Sequence, residues 1–346
     1  MLIVLLLSAC RRDERAGRPP GGPGEEAARP ALCPLTGTQA PAGLDVTRPA
    51  LGTKIDNAAP ARPQAGLEAA DIVYEEIAEG GITRFLAIFH CSDAANLGPV
   101  RSARVVDPDL LVQYAPVLFA YSGAAPTVLS KVQNTRGITD LRHGDHGDAY
   151  RRDRSRQAPY DLFTSTERIR SLDESQGIKG PPRIGLTFDA AAASPPAPTG
   201  AAATPGAGAA AAAPGSTVTF SYTGAANAVR YTYEPGTRRY LRFQGDAPHN
   251  SASGGQLSAA NVVVMKVNIV PGRLRDSAGN FSPEISVIGD GDVTVVRGGT
   301  SATGKWRRAG LSDQTTFVDA AGRPIQLAPG NTWIHLISSD RPVTVQ

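Results

Sequence analysis

Three arginines beside a glycine-proline turn are the residues of this chain best suited to binding chemistry. Arg101, Ser102 and Arg104 follow Gly98-Pro99, and Arg84 lies in a nearby apolar run. A guanidinium carries a planar fork of donors that binds a carboxylate or phosphate through two parallel hydrogen bonds. A Gly-Pro loop also lets backbone N–H groups approach the same anion. The cluster therefore predicts an anion-binding pocket.

Acidic side chains crowd the same stretch and allow two other interpretations. They are Asp56, Asp71, Glu75, Glu76 and Glu79. In an ordinary salt-bridge network, these carboxylates would pair with the three arginines. In a regular strand Glu75 and Glu79 would share one face, with Glu76 on the other. Two carboxylates on one face could act as acid and base or hold a cation, which makes Asp56, Glu75 and Glu79 candidates for catalysis.

Three weaker patterns predict ordinary structural roles. The loop from His143 to Asp148 has metal-ligand residue types, but its glycines and lack of periodicity indicate a surface loop, so no metal site is predicted. His249 lacks a partner nucleophile motif and is expected to be a hydrogen-bonded loop histidine. Aromatic residues in strand-like segments are expected in the core, although they could line a glycan groove; they are Tyr231, Tyr233, Trp306 and Trp333. No cofactor is predicted.

Short strand-like and helix-like segments alternate in the first half and would position these residues. Strands are predicted at 48–56, 72–77, 82–90 and 116–121, with a hairpin or bulge at Gly80-Gly81. Helices are predicted at 106–114, where Asp107-Pro108 provides a cap and a first-turn proline, at 127–132, and from a capping box at 164–167.

The second half is rich in short strand-like segments. They lie at 218–222, 229–233, 239–244, 262–269, 284–288, 292–297, 304–308, 315–318 and 332–337, and Asp290-Gly291 predicts a tight turn. Between the halves, residues 190–215 are almost entirely Ala, Pro and Gly, which predicts a disordered linker. The predicted fold is α+β: a mixed α/β N-terminal domain at 34–189, then a β-rich C-terminal domain at 216–346.

Composition excludes several classes of protein. Of 346 residues, 41% are hydrophobic, which is too many for a wholly disordered chain. The 37 glycines and 28 prolines show no period, which excludes collagen, and they argue against a coiled coil. A formal charge of +3 gives no electrostatic basis for binding nucleic acid.

The N-terminal segment predicts a membrane anchor. Residues 1–9 are apolar, too few to span a bilayer, and end in Leu7-Ser8-Ala9-Cys10. This pattern resembles the lipobox of bacterial lipoproteins, in which the cysteine is acylated and becomes the new N-terminus. We interpret 1–9 as a signal peptide and 10–33 as a flexible tether, since it is rich in charge, Pro and Gly. The expected location is the bacterial cell membrane, lipid-anchored on its extracytoplasmic side.

The two other cysteines permit two readings. In an exported protein Cys33 and Cys91 could form a disulfide that closes a loop of about 58 residues. They could equally be two isolated thiols. The sequence leaves this choice open.

Several long motifs occur in a fixed order in the first half. They are PLTG at 34–37, RP at 48–49, IDN at 55–57, ARPQAGL at 61–67, ADIVYE at 70–75, EGGITRF at 79–85, GPVRSAR at 98–104 and APYDLFTS at 158–165. They resemble the YerB-like family of bacterial lipoproteins, and weaker matches at 245–249, Trp306 and 329–334 are similar to its C-terminal domain. The family's usual His-Asn pair is replaced here by Tyr160-Asp161.

The resemblance implies an envelope location and two domains, but no activity, since the family has no assigned function. The ligand-binding candidates, with two residues added from these motifs, are Asp56, Asn57, Arg62, Glu75, Glu79, Arg84, Arg101, Ser102 and Arg104.

The leading hypothesis is a membrane-anchored lipoprotein that binds an anionic ligand or an envelope partner, such as a cell-wall component or an envelope protein. A hydrolase or transferase that acts on cell-wall polymer through Asp56, Glu75 or Glu79 is the first alternative. A structural or assembly factor is the second.

Overall fold

The structure is a computed structural model that describes residues 31–174, 179–189, 213–224, 228–276 and 279–346. The predicted signal peptide, Cys10 and nearly all of the tether lie outside the described residues, as does the predicted linker from 190 to 212. Among the described residues, none of the helices is long and apolar enough to cross a membrane.

The first half contains the predicted strands and helices with bounds that differ by a few residues. Its strands are β1 Ala50–Asp56, β2 Ile72–Ile77, β3 Thr83–Phe89, β4 Val117–Ala120, β5 Ile138–Asp140, β6 Arg151–Arg152 and β7 Leu162–Phe163. Its helices are α1 Asp107–Leu111, α2 Pro126–Asn134 and α3 Thr166–Glu174. Pro108 and Pro126 occupy first-turn positions, where a missing backbone N–H costs nothing.

The second half is formed by strands, as predicted. They are β8 Ala213–Pro214, β9 Thr217–Ser221, β10 Ala228–Glu234, β11 Arg239–Gln244, β12 Ala247–Pro248, β13 Ser258–Ala259, β14 Asn261–Arg275, β15 Phe281–Ser286, β16 Gly289–Arg297, β17 Thr300–Arg308, β18 Thr316–Val318, β19 Thr332–Ser338 and β20 Val343–Val345.

The tight turn predicted at Asp290-Gly291 is wrong, because both residues lie inside β16. The turn between β16 and β17 is instead the pair Gly298-Gly299, whose φ angles of 55° and 76° suit a two-residue hairpin.

Strands from both halves lie in one large sheet. In the described residues it has twelve strands, ten of them in the order β18-β17-β16-β14-β19-β2-β3-β1-β4-β5. β19 of the second half pairs in parallel with β2 of the first half and with β14. β1, β4 and β5 are also mutually parallel, so their carboxyl ends meet at one edge of the sheet. The domain boundary near residue 190 stays a prediction.

A smaller sheet packs on one face of the large sheet. In the described residues its main strand order is β12-β11-β10-β9-β20. Its inward residues, such as Phe220 and Tyr231, share a core with Phe85 and Trp333 of the large sheet. The other face of the large sheet packs against residues of α1 and α2, including Leu111 and Val132.

The fold class is confirmed in part. Strands account for 43% and helices for 13% of the structure, and the second half is β-rich as predicted. The first half is not clearly a mixed α/β domain, because its helices have five to nine residues and five of its seven strands belong to the shared sheet, while β6 and β7 pair only with each other.

The structure joins Cys33 and Cys91 in a disulfide with Cα atoms 5.8 Å apart. The bond ties the chain before β1 to the end of β3. Of the two readings that the sequence left open, the structure therefore selects the disulfide.

The end of the predicted linker is ordered. Ala213 and Pro214 pair with β17, and the carbonyl of Gly215 accepts a 2.8 Å hydrogen bond from the Tyr240 hydroxyl. The predicted disorder is therefore wrong for residues 213–215, because backbone pairing orders them without any large side chain.

Candidate functional site

Three charged side chains form a row across neighbouring strands of the large sheet. Asp56 on β1 and Glu76 on β2 lie directly opposite Arg84 on β3, one on each side. Residues opposite each other in paired strands point to the same face. All three are buried, so their charges must be compensated inside the protein.

Arg101 lies beside Asp56 at the carboxyl end of β1. Its Nε is 2.8 Å from Asp56 Oδ2, but the angle is not that of an aligned hydrogen bond. The Asp56 side chain is 1% exposed, whereas that of Arg101 is 25% exposed. The guanidinium lies 5.8 Å from the ring centre of Tyr160. Arg101 is therefore the solvent-accessible member of this pair.

Glu79 contacts the two other predicted arginines, Arg84 and Arg104, through the same oxygen. Arg104 Nε donates a 2.9 Å hydrogen bond to Glu79 Oε2, and Arg84 Nη1 is 3.8 Å from the same oxygen. Arg84 is 5% exposed, yet its Nε and Nη1 have no hydrogen-bond partner in the structure. Buried donors without partners are costly and need an explanation.

A buried triad that the sequence did not predict completes the group. Lys54 donates to Glu76 Oε1 and, over 2.7 Å, to Asp107 Oδ1. All three residues are fully buried. Burial and the nearby Asp107 carboxylate raise the pKa of Glu76 to about 8, although Lys54 opposes this shift. Glu76 Oε2 has no hydrogen-bond partner.

We call this group the carboxyl-edge cluster. Its members are Lys54, Asp56, Glu76, Glu79, Arg84, Arg101, Ser102, Arg104 and Asp107. Ser102 Oγ lies 3.3 Å from Ser122 Oγ, just beyond the end of β4. In open sheets with parallel strands, ligand sites lie outside the carboxyl ends of the strands, where this cluster is found.

Glu75 belongs to a different network on the opposite face. It accepts hydrogen bonds of 2.7 Å from both Arg242 and Thr83, and His335 Nδ1 is 3.2 Å away. Burial alone would raise the pKa of Glu75, but the Arg242 charge and the hydrogen bonds from His335 and Arg242 outweigh burial and lower it far below its usual value. This carboxylate is permanently ionised and fully paired.

Two further candidates, Asn57 and Arg62, lie in this second network. Asn57 Nδ2 donates to Glu75 Oε1 over 3.2 Å, and Arg62 Nη2 donates to the Asn57 carbonyl over 2.8 Å. The prediction that Glu75 and Glu79 share a face is wrong. β2 ends at Ile77, so the strand alternation stops before Glu79, which lies in the following turn.

The histidines and aromatic residues have the structural roles that the sequence favoured. His249 is buried between Arg242 and the Gln64 side chain, 2.8 Å from Gln64 Oε1. Burial and the Arg242 charge lower the pKa of His249 to about 2, so its ring is neutral. Trp306, Trp333 and Tyr231 are buried in the core. In the described part of the chain, no group of three or more His, Cys, Asp or Glu residues could hold a metal ion.

Sequence reasoning missed Lys54, Gln64, Asp107 and Arg242. A signal existed for Arg242, because it follows the buried Tyr240 at the two-residue spacing that marks the inward face of β11. Lys54 lies within β1, a strand whose seven residues are all buried.

Fold and site together define a β-rich protein whose two parts share one sheet, with a buried charged cluster at the carboxyl edge of that sheet. Family models described as "Protein of unknown function (DUF3048) N-terminal domain" and the corresponding C-terminal domain match residues 35–179 and 217–334. The chain therefore belongs to this two-domain family, and the resemblance found in the sequence is confirmed.

A curated relative and a solved structure, both named YerB and both from Bacillus subtilis, are similar to this chain. A relative named "Putative lipoprotein YerB" is 33% identical over 180 residues, which cover 51% of this chain and 50% of the relative. The chain thus aligns with about half the length of that curated relative. The crystal structure of the YerB protein matches with a TM-score of 0.73 and 23% identity, covering 91% of this chain and 99% of that structure. This second likeness establishes the fold alone.

Proposed function

We propose that this protein is a lipid-anchored envelope protein that binds an anionic group at the carboxyl-edge cluster. Cys10 would carry the lipid, residues 11–30 would hold the folded part away from the membrane, and the site would face the extracytoplasmic side. The order of apolar run, small residues, cysteine and tether supports the anchor. The name of the relative and the disulfide are consistent with export.

The observation that carries the binding site is the unused hydrogen-bonding capacity of the cluster. Glu76 Oε2 and Arg84 Nε and Nη1 are buried without a hydrogen-bond partner, whereas Asp56 Oδ2 and Arg101 Nε, also buried, lie 2.8 Å apart as an ion pair without an aligned hydrogen bond. Buried polar atoms in folded proteins are almost always paired with protein, water or ligand. Their concentration at one sheet edge, next to a partly exposed arginine, supports a bound group there.

The charge balance of the cluster favours an anion with a single charge. Four cations stand against four carboxylates: Lys54, Arg84, Arg101 and Arg104 against Asp56, Glu76, Glu79 and Asp107. With the pKa of Glu76 raised to about 8, that carboxyl group is mostly protonated at neutral pH. One positive charge then remains in excess, and a carboxylate or phosphodiester of an envelope component would compensate it.

Nothing in the geometry favours the hydrolase or transferase alternative. Glu75 is locked to Arg242 on the other face of the sheet from Asp56, so the two carboxylates cannot act on one substrate. An assembly factor would bind its protein partner through the same accessible arginine.

The test compares wild type with Arg101→Lys in pull-down by insoluble cell-wall material, with acetate and inorganic phosphate as competitors. Lysine keeps the positive charge but cannot donate two parallel hydrogen bonds as arginine does. Binding should therefore weaken by about 1 to 3 kcal/mol, and less protein should be retained. The matched control is Arg307→Lys, an exposed arginine on β17, which should leave binding unchanged. Equal retention of wild type and Arg101→Lys, with equal thermal stability, would refute this binding site.

A further inference from the structure

The Cys33–Cys91 disulfide lies in the wall of an open cavity of about 260 Å³. The cavity is at the opposite end of β2 from the carboxyl-edge cluster, since Asp71, which directly precedes β2, also lines it. Cys33 is 1% exposed, whereas Cys91 is only partly buried. A thiol that enters the cavity therefore reaches the sulfur of Cys91 more readily than that of Cys33.

A neutral histidine faces the more accessible sulfur. His90 Nε2 is 3.0 Å from the Arg48 carbonyl, which can only accept a hydrogen bond, so Nε2 carries the proton. In that tautomer Nδ1 is the acceptor nitrogen of the ring, and it lies 3.6 Å from Cys91 Sγ. Burial lowers the pKa of His90 to about 4, which keeps the ring neutral. In the reduced protein, the Cys91 thiol would have a hydrogen-bond acceptor already in place.

Both cysteines are held in position by contacts other than the disulfide. The Cys91 N–H donates to Asp71 Oδ2 over 2.9 Å. The Cys33 N–H donates to the Thr38 carbonyl over 2.7 Å, and the nearby Leu35 is fully buried in the core. Breaking the S–S bond would therefore leave the two thiols next to each other, ready to re-form it.

We propose that Cys33 and Cys91 form a reversible dithiol–disulfide couple that exchanges with an external dithiol, with Cys91 as the sulfur attacked. This proposal is independent of the binding function proposed for the carboxyl-edge cluster.

The exchange balances in two steps. A thiolate of the dithiol attacks Cys91 Sγ, a mixed disulfide forms, the Cys33–Cys91 bond breaks, and Cys33 leaves as a thiolate that takes a proton from water. The second thiolate of the dithiol then attacks the dithiol's first sulfur, which is bonded to Cys91 in the mixed disulfide. Cys91 leaves, takes a proton, and donates it in a hydrogen bond to His90 Nδ1. The protein gains two electrons and two protons, and the dithiol becomes a disulfide.

The first test exposes the full-length protein, in detergent and without denaturant, to dithiothreitol at neutral pH. Alkylation and mass spectrometry count the thiols, while circular dichroism follows the fold. We expect full reduction with a retained cooperative melt, and recovery of the disulfide when oxidised dithiothreitol is added. Reduction that occurs only after denaturant unfolds the chain would overturn the proposal, because the disulfide would then be structural.

The second test identifies the attacked sulfur. The Cys91 thiol of Cys33→Ser should react with an aromatic disulfide reagent about tenfold faster than the Cys33 thiol of Cys91→Ser. An equal or reversed ratio contradicts attack at Cys91. His90→Gln keeps a donor for the Arg48 carbonyl but removes Nδ1, so it should slow reoxidation several-fold more than reduction. His143→Gln, which changes a histidine packed edge-on against Tyr150, is the matched control.

Discussion

Glu75 Oε2 and Arg242 Nη2 form a fully buried ion pair, 2.7 Å apart, between residues 167 positions apart in the sequence. Glu75 lies on β2 of the large sheet and Arg242 on β11 of the small sheet. Arg242 also lies 5.4 Å from the ring centre of Trp333 on β19. The pair therefore connects the two sheets, and the two halves of the chain, through their common core.

Removing one partner of this pair should be strongly destabilising. Arg242→Met leaves the Glu75 carboxylate buried without its counter-charge, so we expect a loss of about 3 to 5 kcal/mol in the free energy of unfolding. Urea denaturation of wild type and variant at neutral pH measures the difference.

The double variant Glu75→Gln/Arg242→Met removes both charges and should be less destabilised than the sum of the two single variants. The exposed Arg307→Met should change stability by no more than about 0.5 kcal/mol. A loss below about 1 kcal/mol for Arg242→Met would mean that the pair contributes little.

Glu76 should make stability fall as the pH rises. Its pKa is about 8 in the folded protein against an ordinary value of 4.5, so between these values the folded state holds a proton that the unfolded state lacks. The contribution of Glu76 is therefore largest below about pH 4.5 and is lost as the pH passes through 8. Glu76→Gln mimics the protonated acid and should lack this dependence. Denaturation of both proteins at about pH 5, 7 and 9 tests this, and parallel curves would disprove it.

Glu75 should act in the opposite sense and at lower pH. Its folded pKa lies far below 4.5, so its stabilisation is complete above about pH 4.5 and declines as the pH falls below it. A pH series therefore distinguishes the effects of the two glutamates on stability, because Glu75 changes the stability below about pH 4.5 and Glu76 changes it above about pH 4.5.

The segment 190–212 should be replaceable by a short linker. Asp189 lies 3.6 Å from Arg297, and Ala213 pairs with Ser301 on the adjoining strand, so the chain leaves and returns at one end of the β16–β17 hairpin. About eight Gly and Ser residues would span this gap, and loop-closure entropy changes only with the logarithm of length. Thermal unfolding should be nearly unchanged. Extending the replacement through Gly215 removes the β8 pairing and should lower the melting temperature.

Cys10→Ala should release the protein from the membrane. Without the thiol no lipid can be attached, so the proposed anchor is lost. Fractionation and immunoblotting of cells that express wild type or variant provide the measurement. Membrane retention of Cys10→Ala at the wild-type level would contradict the lipid anchor.

Local patterns in the sequence were enough to predict most strands and helices. Runs such as 72–77 and 332–337 are rich in β-branched and aromatic residues, and 107–111 has an acidic residue and a proline in its first turn, so neighbouring residues alone favour these elements. The sequence also indicated that Asp56, Arg84, Arg101 and Arg104 belong to one site. Asp56 and Arg84 lie on paired strands, and Arg101 lies beside Asp56.

Only the tertiary structure decided which charge pairs with which. Glu75 meets Arg242 rather than a neighbouring arginine because β2 lies between β19 and β3, under the small sheet, and no local pattern encodes that arrangement. Glu79 joins the arginines because β2 ends two residues earlier, a boundary set by the turn and by strand pairing. Likewise, Cys33 and Cys91 meet because the C-terminal end of β3 and the segment that precedes β1 lie at the same edge of the sheet. Contacts between distant residues depend on sheet order and register, which arise only when the whole chain is folded.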